Sequence, residues 1–137
     1  MEHEEFAKIF ETINNARETV RSFLDDHQQH IKHGKQRLDE ELPLLNVATD
    51  IISRKWAIHL IWFLESKGPL RFNQFTKLLP NISTRSLSDT LKDLEEQKIV
   101  DRNISDDRPP KVFYSLTEKG KGFVELALLL VFYLNFP

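Results

Sequence analysis

The sequence predicts a mainly α-helical protein that carries one small β-hairpin. Three features predict this fold class: a long amphipathic N-terminal stretch, a short segment with one apolar face over residues 82–95, and two strand-like runs. The runs cover residues 99–104 and 111–116, and the polar turn 105–110 joins them. The hairpin therefore directly follows a helix that has one apolar face.

Length and composition restrict the class of protein to which the chain can belong. A chain of 137 residues supports one hydrophobic core more easily than two. Its 40% hydrophobic and 29% charged residues are typical of a globular protein. The absence of cysteine excludes disulfides, thiolate zinc sites and thiol redox sensing. The acidic N-terminus has no signal-peptide pattern, so we expect a cytoplasmic location.

The N-terminal stretch predicts one long helix. Apolar residues recur every three or four positions, which predicts a helix from about Glu4 to His33 with Gly34 as its C-cap. Because so small a domain cannot bury the whole stripe, we expect the helix to pack against a second copy of the chain. The alternative is that it folds back on its own domain. The expected dimerisation residues lie on this helix and on the last one: Phe6, Phe10, Ile13, Val20, Leu24, Ile31, Leu126 and Leu130.

Charge and composition divide the chain into two predicted parts. Residues 1–41 form the helix and a charged connector, with six basic and ten acidic residues. Residues 42–137 form the second domain, which includes the C-terminal helix and has thirteen basic and eleven acidic residues. Because its net charge is positive, a surface for polyanions is expected on the second part.

The second part begins with helices. Pro43 is expected to restart the chain after the connector, with a short helix and then a second one over residues 52–65. A short strand over residues 70–72 and a helix over residues 72–79 follow, and Pro80 ends that helix.

Aromatic and apolar residues of this part are expected inside the protein. Trp56, Trp62 and most phenylalanines are assigned to the core. Thr117 opens the last helix, whose apolar run over residues 126–134 is shorter than the about 20 residues of a membrane span. We therefore expect no membrane partner.

The helix over residues 82–95 is the strongest functional signal. Ser83 is well placed to be its N-cap. One face carries three leucines, and the other carries two hydroxyls and an arginine: Leu87, Leu91 and Leu94 against Thr84, Ser88 and Arg85. Such a helix suits the DNA major groove. A helix of this kind followed by a hairpin is the layout of a winged helix-turn-helix.

Four segments in order carry a resemblance to a known family. They are Lys55-Trp56, Gly68–Phe75, the recognition helix from Leu79 through Glu95 with Arg102, and Pro109–Gly120. Together they resemble the HxlR family of bacterial and archaeal transcription regulators, relatives of the MarR group. The resemblance implies a homodimer that reads an inverted repeat, with one recognition helix for each half-site. The glycine usual in that family after the recognition helix is Gln97 here.

Candidate DNA contacts come from three places. The recognition helix offers Arg85, which can bind guanine with two hydrogen bonds or contact a phosphate instead. The start of the preceding helix offers amide donors for phosphate. The hairpin offers cations beside Asp106 and Asp107, which oppose phosphate. The full set is Arg71, Asn73, Gln74, Ser83, Thr84, Arg85, Ser86, Ser88, Arg102, Arg108 and Lys111.

The remaining motifs predict neither a metal site nor a catalytic site. His27, His30 and His33 lack further converging ligands, so neither a metal nor another cofactor is expected. No phosphate loop or nucleophile–base pair is evident, which argues against an enzyme. The predicted function is a sequence-specific regulator of double-stranded DNA, by preference a repressor, with an effector left unidentified. An architectural DNA-binding protein and a protein-interaction module remain as alternatives.

Overall fold

The structure is a computed structural model that describes residues 2–31 and 35–136, and of residues 28–31 and 35–39 it describes only the backbone. Within these ranges the chain is mainly helical, with one antiparallel hairpin. The elements in chain order are α1 (Glu2–Ile31), α2 (Lys35–Ile52), α3 (Ala57–Lys67), α4 (Phe72–Leu78), α5 (Thr84–Glu96), β1 (Val100–Ile104), β2 (Val112–Leu116) and α6 (Glu118–Asn135).

The chain forms two compact units. The first contains Met1–Asn46 and Leu128–Pro137, and the second contains Val47–Ala127. Both α2 and α6 run through a boundary between the units. The division that the sequence predicts after residue 41 stays a prediction.

The second unit has a core of aliphatic side chains and one phenylalanine. Helix α3 contacts α5 and β2, and α4 contacts the same two elements. Apolar residues three or four apart on α3 and α5 point into the space between them, because that spacing places them on one helix face. The buried side chains of this unit are Ile51, Ala57, Leu60, Ile61, Leu64, Leu70, Phe75, Leu79, Ile82, Leu87, Leu91, Leu94, Ile99, Val100 and Val124.

The two strands form one antiparallel hairpin. Strands β1 and β2 pair antiparallel, from Val100 opposite Leu116 to Ile104 opposite Val112. The predicted hairpin is therefore confirmed. The predicted strand over residues 70–72 is reduced to Leu70, which exchanges two backbone hydrogen bonds of 3.0 and 2.7 Å with Tyr114. It ends there because α4 begins at Phe72.

Helix α5 ends in a Schellman motif, a hydrogen-bonded C-terminal turn. The amide of Ile99 donates to Leu94 O at 2.9 Å, and the amide of Lys98 donates to Glu95 O at 3.0 Å. The motif needs one residue in the left-handed region, and Lys98 takes it with φ 59°. Gln97 has φ −81°. The position whose backbone conformation favours glycine is therefore Lys98.

The start of α6 is bound to this turn. The Thr117 hydroxyl lies 2.5 Å from Lys98 O and accepts a hydrogen bond from the Gly120 amide at 3.0 Å. A Cβ on Gly120 would stand 2.1 Å from Ile99 O. Only glycine allows so close an approach of the helix to the turn.

In the first unit, α1 packs against the end of α6. The Phe6 ring meets Phe132 edge-on, with 5.5 Å between centroids, and Phe10 meets Phe136 at 6.4 Å. Ile13 is buried, with 6% of its surface exposed. The predicted long helix is confirmed over Glu2–Ile31, whereas its predicted end at His33 and Gly34 lies outside the described residues.

Two predicted elements are wrong. The expected connector before Pro43 is part of α2, a helix that runs through that proline. An interior proline removes one amide donor and its ring crowds the preceding turn, so α2 is weakened at Pro43 although it continues through it. The helix expected over residues 52–65 begins only at Ala57, because α2 ends at Ile52 and a turn follows.

Some aromatic side chains assigned to the core are exposed. Trp62 is 47% exposed and Phe23 is 62% exposed. Both lie on helices whose apolar residues spread beyond the buried face, so hydrophobicity alone did not predict their burial. Among the described residues, no helix is long and apolar enough to span a membrane.

Candidate nucleic-acid interface

Helix α5 is held firmly on its inner side. Leu87 and Leu94 are fully buried, and Leu91 is 1% exposed. The N-cap predicted at Ser83 is confirmed, because its hydroxyl accepts a hydrogen bond from the Ser86 amide at 3.0 Å. These contacts fix the rotation of the helix about its axis. Its opposite face therefore points away from the protein.

An ion pair adds a further anchor for α5. The Arg54 Nε donates to Asp93 Oδ2 at 2.6 Å, and both side chains are partly buried. Thr90, which is only 2% exposed, donates its hydroxyl to Ser86 O at 2.6 Å. Thr90 is therefore too buried to contact DNA, and Asp93 is engaged by Arg54. Both belong to the support of the helix.

The outward face of α5 is polar and open. Thr84 and Ser88 are exposed, and Ser86 is half-buried. The Arg85 side chain is 93% exposed, and its Nε lies 3.9 Å from Asp89 Oδ2. An exposed i, i+4 pair of this length is weak, so the guanidinium is free to reorient toward a ligand. The predicted face thus presents a cation, three hydroxyls and the partly exposed carboxylate of Asp89.

A groove lies between α4 and the base of the hairpin. Its volume is about 580 Å³. Arg71, Lys77 and Lys111 bring three cations to it, and among the described residues that line it there is no carboxylate. Its further lining residues are Phe72, Asn73, Gln74, Pro110 and Val112. Such a concentration of positive charge suits a polyanion backbone.

One predicted contact in the groove, Gln74, is partly committed to the fold, and one cation was missed. The Gln74 Oε1 accepts a hydrogen bond from the Arg71 amide at 2.8 Å, which leaves the amide nitrogen of Gln74 as a donor for phosphate. Lys77 was not among the predicted contacts. It lies four residues after Asn73 on the same helix face, and that spacing is the signal that could have found it.

The hairpin places the other predicted cations. Arg102 stands opposite Tyr114 in the ladder and is exposed. Beyond β1, the Ser105 hydroxyl accepts from the Lys111 amide at 2.9 Å and closes the base of the tip. Arg108 is exposed at that tip together with Asp106 and Asp107. The tip therefore mixes charges, whereas the groove does not.

The second predicted surface belongs to the first unit. An apolar groove of about 480 Å³ runs along α1. Its lining consists of Ile13, Ala16, Arg17, Val20, Arg21, Leu24, Leu129, Leu130 and Tyr133. Val20, Leu24 and Leu130 are each about half exposed, at 52%, 47% and 50%. Leu126, in the second unit, is 70% exposed, and the side chain of Ile31 lies outside the described residues.

The histidines of α1 are partly described. The His27 Nε2 lies 2.8 Å from Glu41 Oε1, and its ring stacks on Phe23 at 5.5 Å between centroids. The side chain of His30 and all of His33 lie outside the described residues. Among the described side chains there is no cluster of three or more possible metal ligands.

The fold and its outward helix define a class of protein. A helix-turn-helix of α4 and α5, followed by an antiparallel hairpin, is a winged helix-turn-helix, and its second helix presents a polar face. Residues 51–132 match the family model described as HxlR-like helix-turn-helix. The chain belongs to this family of transcription regulators, which bind DNA and are not enzymes.

Individual relatives agree with the family. The chain is 39% identical over 87 residues to the HTH-type transcriptional regulator YvaP of Bacillus subtilis, which covers 64% of this chain and 80% of YvaP. Diamide-treated YodB from B. subtilis has a similar structure, with TM-score 0.60, 33% identity and coverage of 69% and 93%. A MarR-family regulator from Enterococcus faecalis has TM-score 0.61 at 28% identity, with coverage of 68% and 84%.

Proposed function

We propose that this transcription regulator is a homodimer that binds an inverted-repeat operator in a sequence-specific way and represses transcription from it. The observation that carries the proposal is the outward polar face of α5, with Arg85 93% exposed above a fully buried leucine face. Repression is the simplest outcome, because a bound protein that blocks polymerase needs no second interaction surface. The site of action is the cytoplasm, where bacterial and archaeal DNA lies.

Charge distribution supports specific over indiscriminate binding. Residues 42–137 carry only two more basic than acidic residues, so phosphate neutralisation contributes modestly to affinity. Three of the exposed cations, Arg71, Lys77 and Lys111, line the α4–hairpin groove. We infer that the groove binds the phosphate backbone of DNA, while the hydroxyls and Arg85 of α5 face the edges of the bases.

Exposed apolar side chains on α1 and α6 support the dimer. Leu126 and Leu134 are 70% and 72% exposed, and the groove along α1 is mostly apolar. Large exposed apolar surface marks an interaction site. In a two-fold dimer the two copies of α5 would lie about 34 Å apart, or a multiple of that distance, to enter successive major grooves.

One experiment separates this proposal from its rivals. Bound fragments are selected from random double-stranded DNA, and affinity is then measured across a salt series. A shared palindromic motif with half-sites about 10 base pairs apart supports the regulator. Binding that shows no shared motif and whose affinity falls steeply as salt rises would establish an architectural protein instead. No binding at physiological salt would establish a protein-interaction module.

A further inference from the structure

Asp89 is the one carboxylate on the outward face near the start of α5. It follows Arg85 by four residues and Ser88 by one, so all three share the stripe that points away from the core. Its side chain is 46% exposed, whereas Asp93 one turn later is paired with Arg54. A negative charge therefore stands where DNA is expected to approach.

Neither stability nor general DNA affinity accounts for this carboxylate. The ion pair with Arg85 spans 3.9 Å and is exposed, so it contributes little to folding. Facing phosphates, a carboxylate weakens binding to every sequence. A carboxylate improves recognition only where its hydrogen bond to the correct base is stronger than its repulsion from the DNA phosphates.

We propose that Asp89 is a specificity-determining residue that accepts a hydrogen bond from the exocyclic amine of a cytosine. Carboxylates pair with cytosine N4 in the major groove, as arginine pairs with guanine. Residues one helical turn apart are separated by about 5–6 Å at Cβ, which matches one to two base steps of about 3.4 Å. Arg85 and Asp89 would thus read neighbouring G·C pairs. This inference rests on the proposed function.

The test compares Asp89→Asn and Asp89→Ala with the wild-type protein. Each variant is taken through selection from random duplex DNA, and its affinity is measured on the wild-type motif and on a scrambled duplex. We expect both variants to bind the scrambled duplex more tightly and their specificity ratio to fall about tenfold. Asp89→Asn should shift the preference at one position from cytosine to adenine, because asparagine pairs with adenine. Asp89→Ala should leave that position without preference.

Glu65→Gln is the matched control, since it removes the same charge from an exposed site on α3. It should leave the motif and the specificity ratio unchanged. If the Asp89 variants behave like this control, the proposal is overturned. It is also overturned if Asp89→Ala relaxes only the position that Arg85→Ala relaxes, because Asp89 would then merely position Arg85. A wild-type protein without any motif would instead overturn the proposed function, and this proposal with it.

Discussion

Arg85 is the one arginine of α5, and it lies in the first turn of the helix. Its exposure of 93% leaves the whole guanidinium available for two hydrogen bonds to guanine. We predict that Arg85→Ala weakens binding to the selected motif by about 1–3 kcal/mol and relaxes one base position. Fluorescence anisotropy and repeated selection measure both effects.

Lys92→Ala is the control for Arg85. Lys92 is an exposed cation on the same helix, two turns further along. The Lys92→Ala substitution should weaken binding about equally for all sequences, as the loss of a phosphate contact does. If Arg85→Ala gives the same uniform loss with an unchanged motif, Arg85 contacts phosphate and does not read a base.

Lys98 holds a backbone conformation that suits glycine. With φ 59° it is the left-handed residue of the turn after α5. A side chain in this region is strained by about 1 kcal/mol relative to glycine. We predict that Lys98→Gly raises the free energy of unfolding by about 0.5–1 kcal/mol, measured by urea denaturation. Lys98→Ala, which removes the charge and keeps the Cβ, should give no gain; an equal gain would assign the effect to the charge.

Gly120 stands where a side chain has no room. Its Cβ would lie 2.1 Å from the backbone oxygen of Ile99, which cannot move without opening the turn. We predict that Gly120→Ala lowers the free energy of unfolding by about 1–3 kcal/mol. Gly122→Ala is the control, because nothing lies within 4 Å of its Cβ position. It should be neutral or stabilising by up to about 1 kcal/mol, since alanine favours helix. Equal losses at both positions would contradict the close-approach argument.

At the level of elements, the start of α5 depends on its cap. The Ser83 hydroxyl accepts from the Ser86 amide at 3.0 Å, which satisfies one of the free amides of the first turn. We predict that Ser83→Ala lowers the free energy of unfolding by about 1 kcal/mol in chemical denaturation. Ser88→Ala, on the exposed face beyond the first turn, should change it by less than about 0.5 kcal/mol. A loss at Ser88 as large as at Ser83 would refute the capping role.

Local signals explain which elements the sequence could predict. Helix α5 and the hairpin combine regular apolar spacing with a cap and turn residues, so each is specified within its own segment. Helix α2 was missed because Pro43 was interpreted as a break, although the helix continues through it. The left-handed conformation of Lys98 was not predicted, because turn geometry is decided by hydrogen bonds to Leu94 and Glu95.

The interface was only partly predictable for a different reason. The outward face of α5 follows from the helical period alone. The groove is formed where α4 meets the base of the hairpin, which brings Lys77 near Lys111 across more than 30 residues of chain. When cations come together only through tertiary contacts, the sequence around each of them shows no pattern that predicts the cluster. No role was predicted for Asp89; among the acidic residues, only Asp106 and Asp107 were weighed, and those against phosphate contact.

At the level of the whole molecule, an operator with two-fold symmetry needs two copies of the chain. Contacts within one copy already use Phe6 and Phe10, which meet the aromatic end of α6. Ile13 is likewise buried, with only 6% of its surface exposed. The start of α1 therefore packs within one chain. The apolar residues that remain exposed for a second copy lie further along α1, at Val20 and Leu24.

Leu24 is the sharpest probe of that stripe. It lines the apolar groove and is 47% exposed in the single chain, so a carboxylate there stays hydrated in a monomer. In a dimer the same carboxylate would be buried without a partner, at a cost of several kcal/mol for each copy. We predict that Leu24→Glu weakens the dimer at least about 100-fold in sedimentation velocity and abolishes tight operator binding, while circular dichroism stays unchanged. Ser22→Glu adds the same charge to an exposed site off the stripe and should leave a dimer; an intact dimer of Leu24→Glu would rule this interface out.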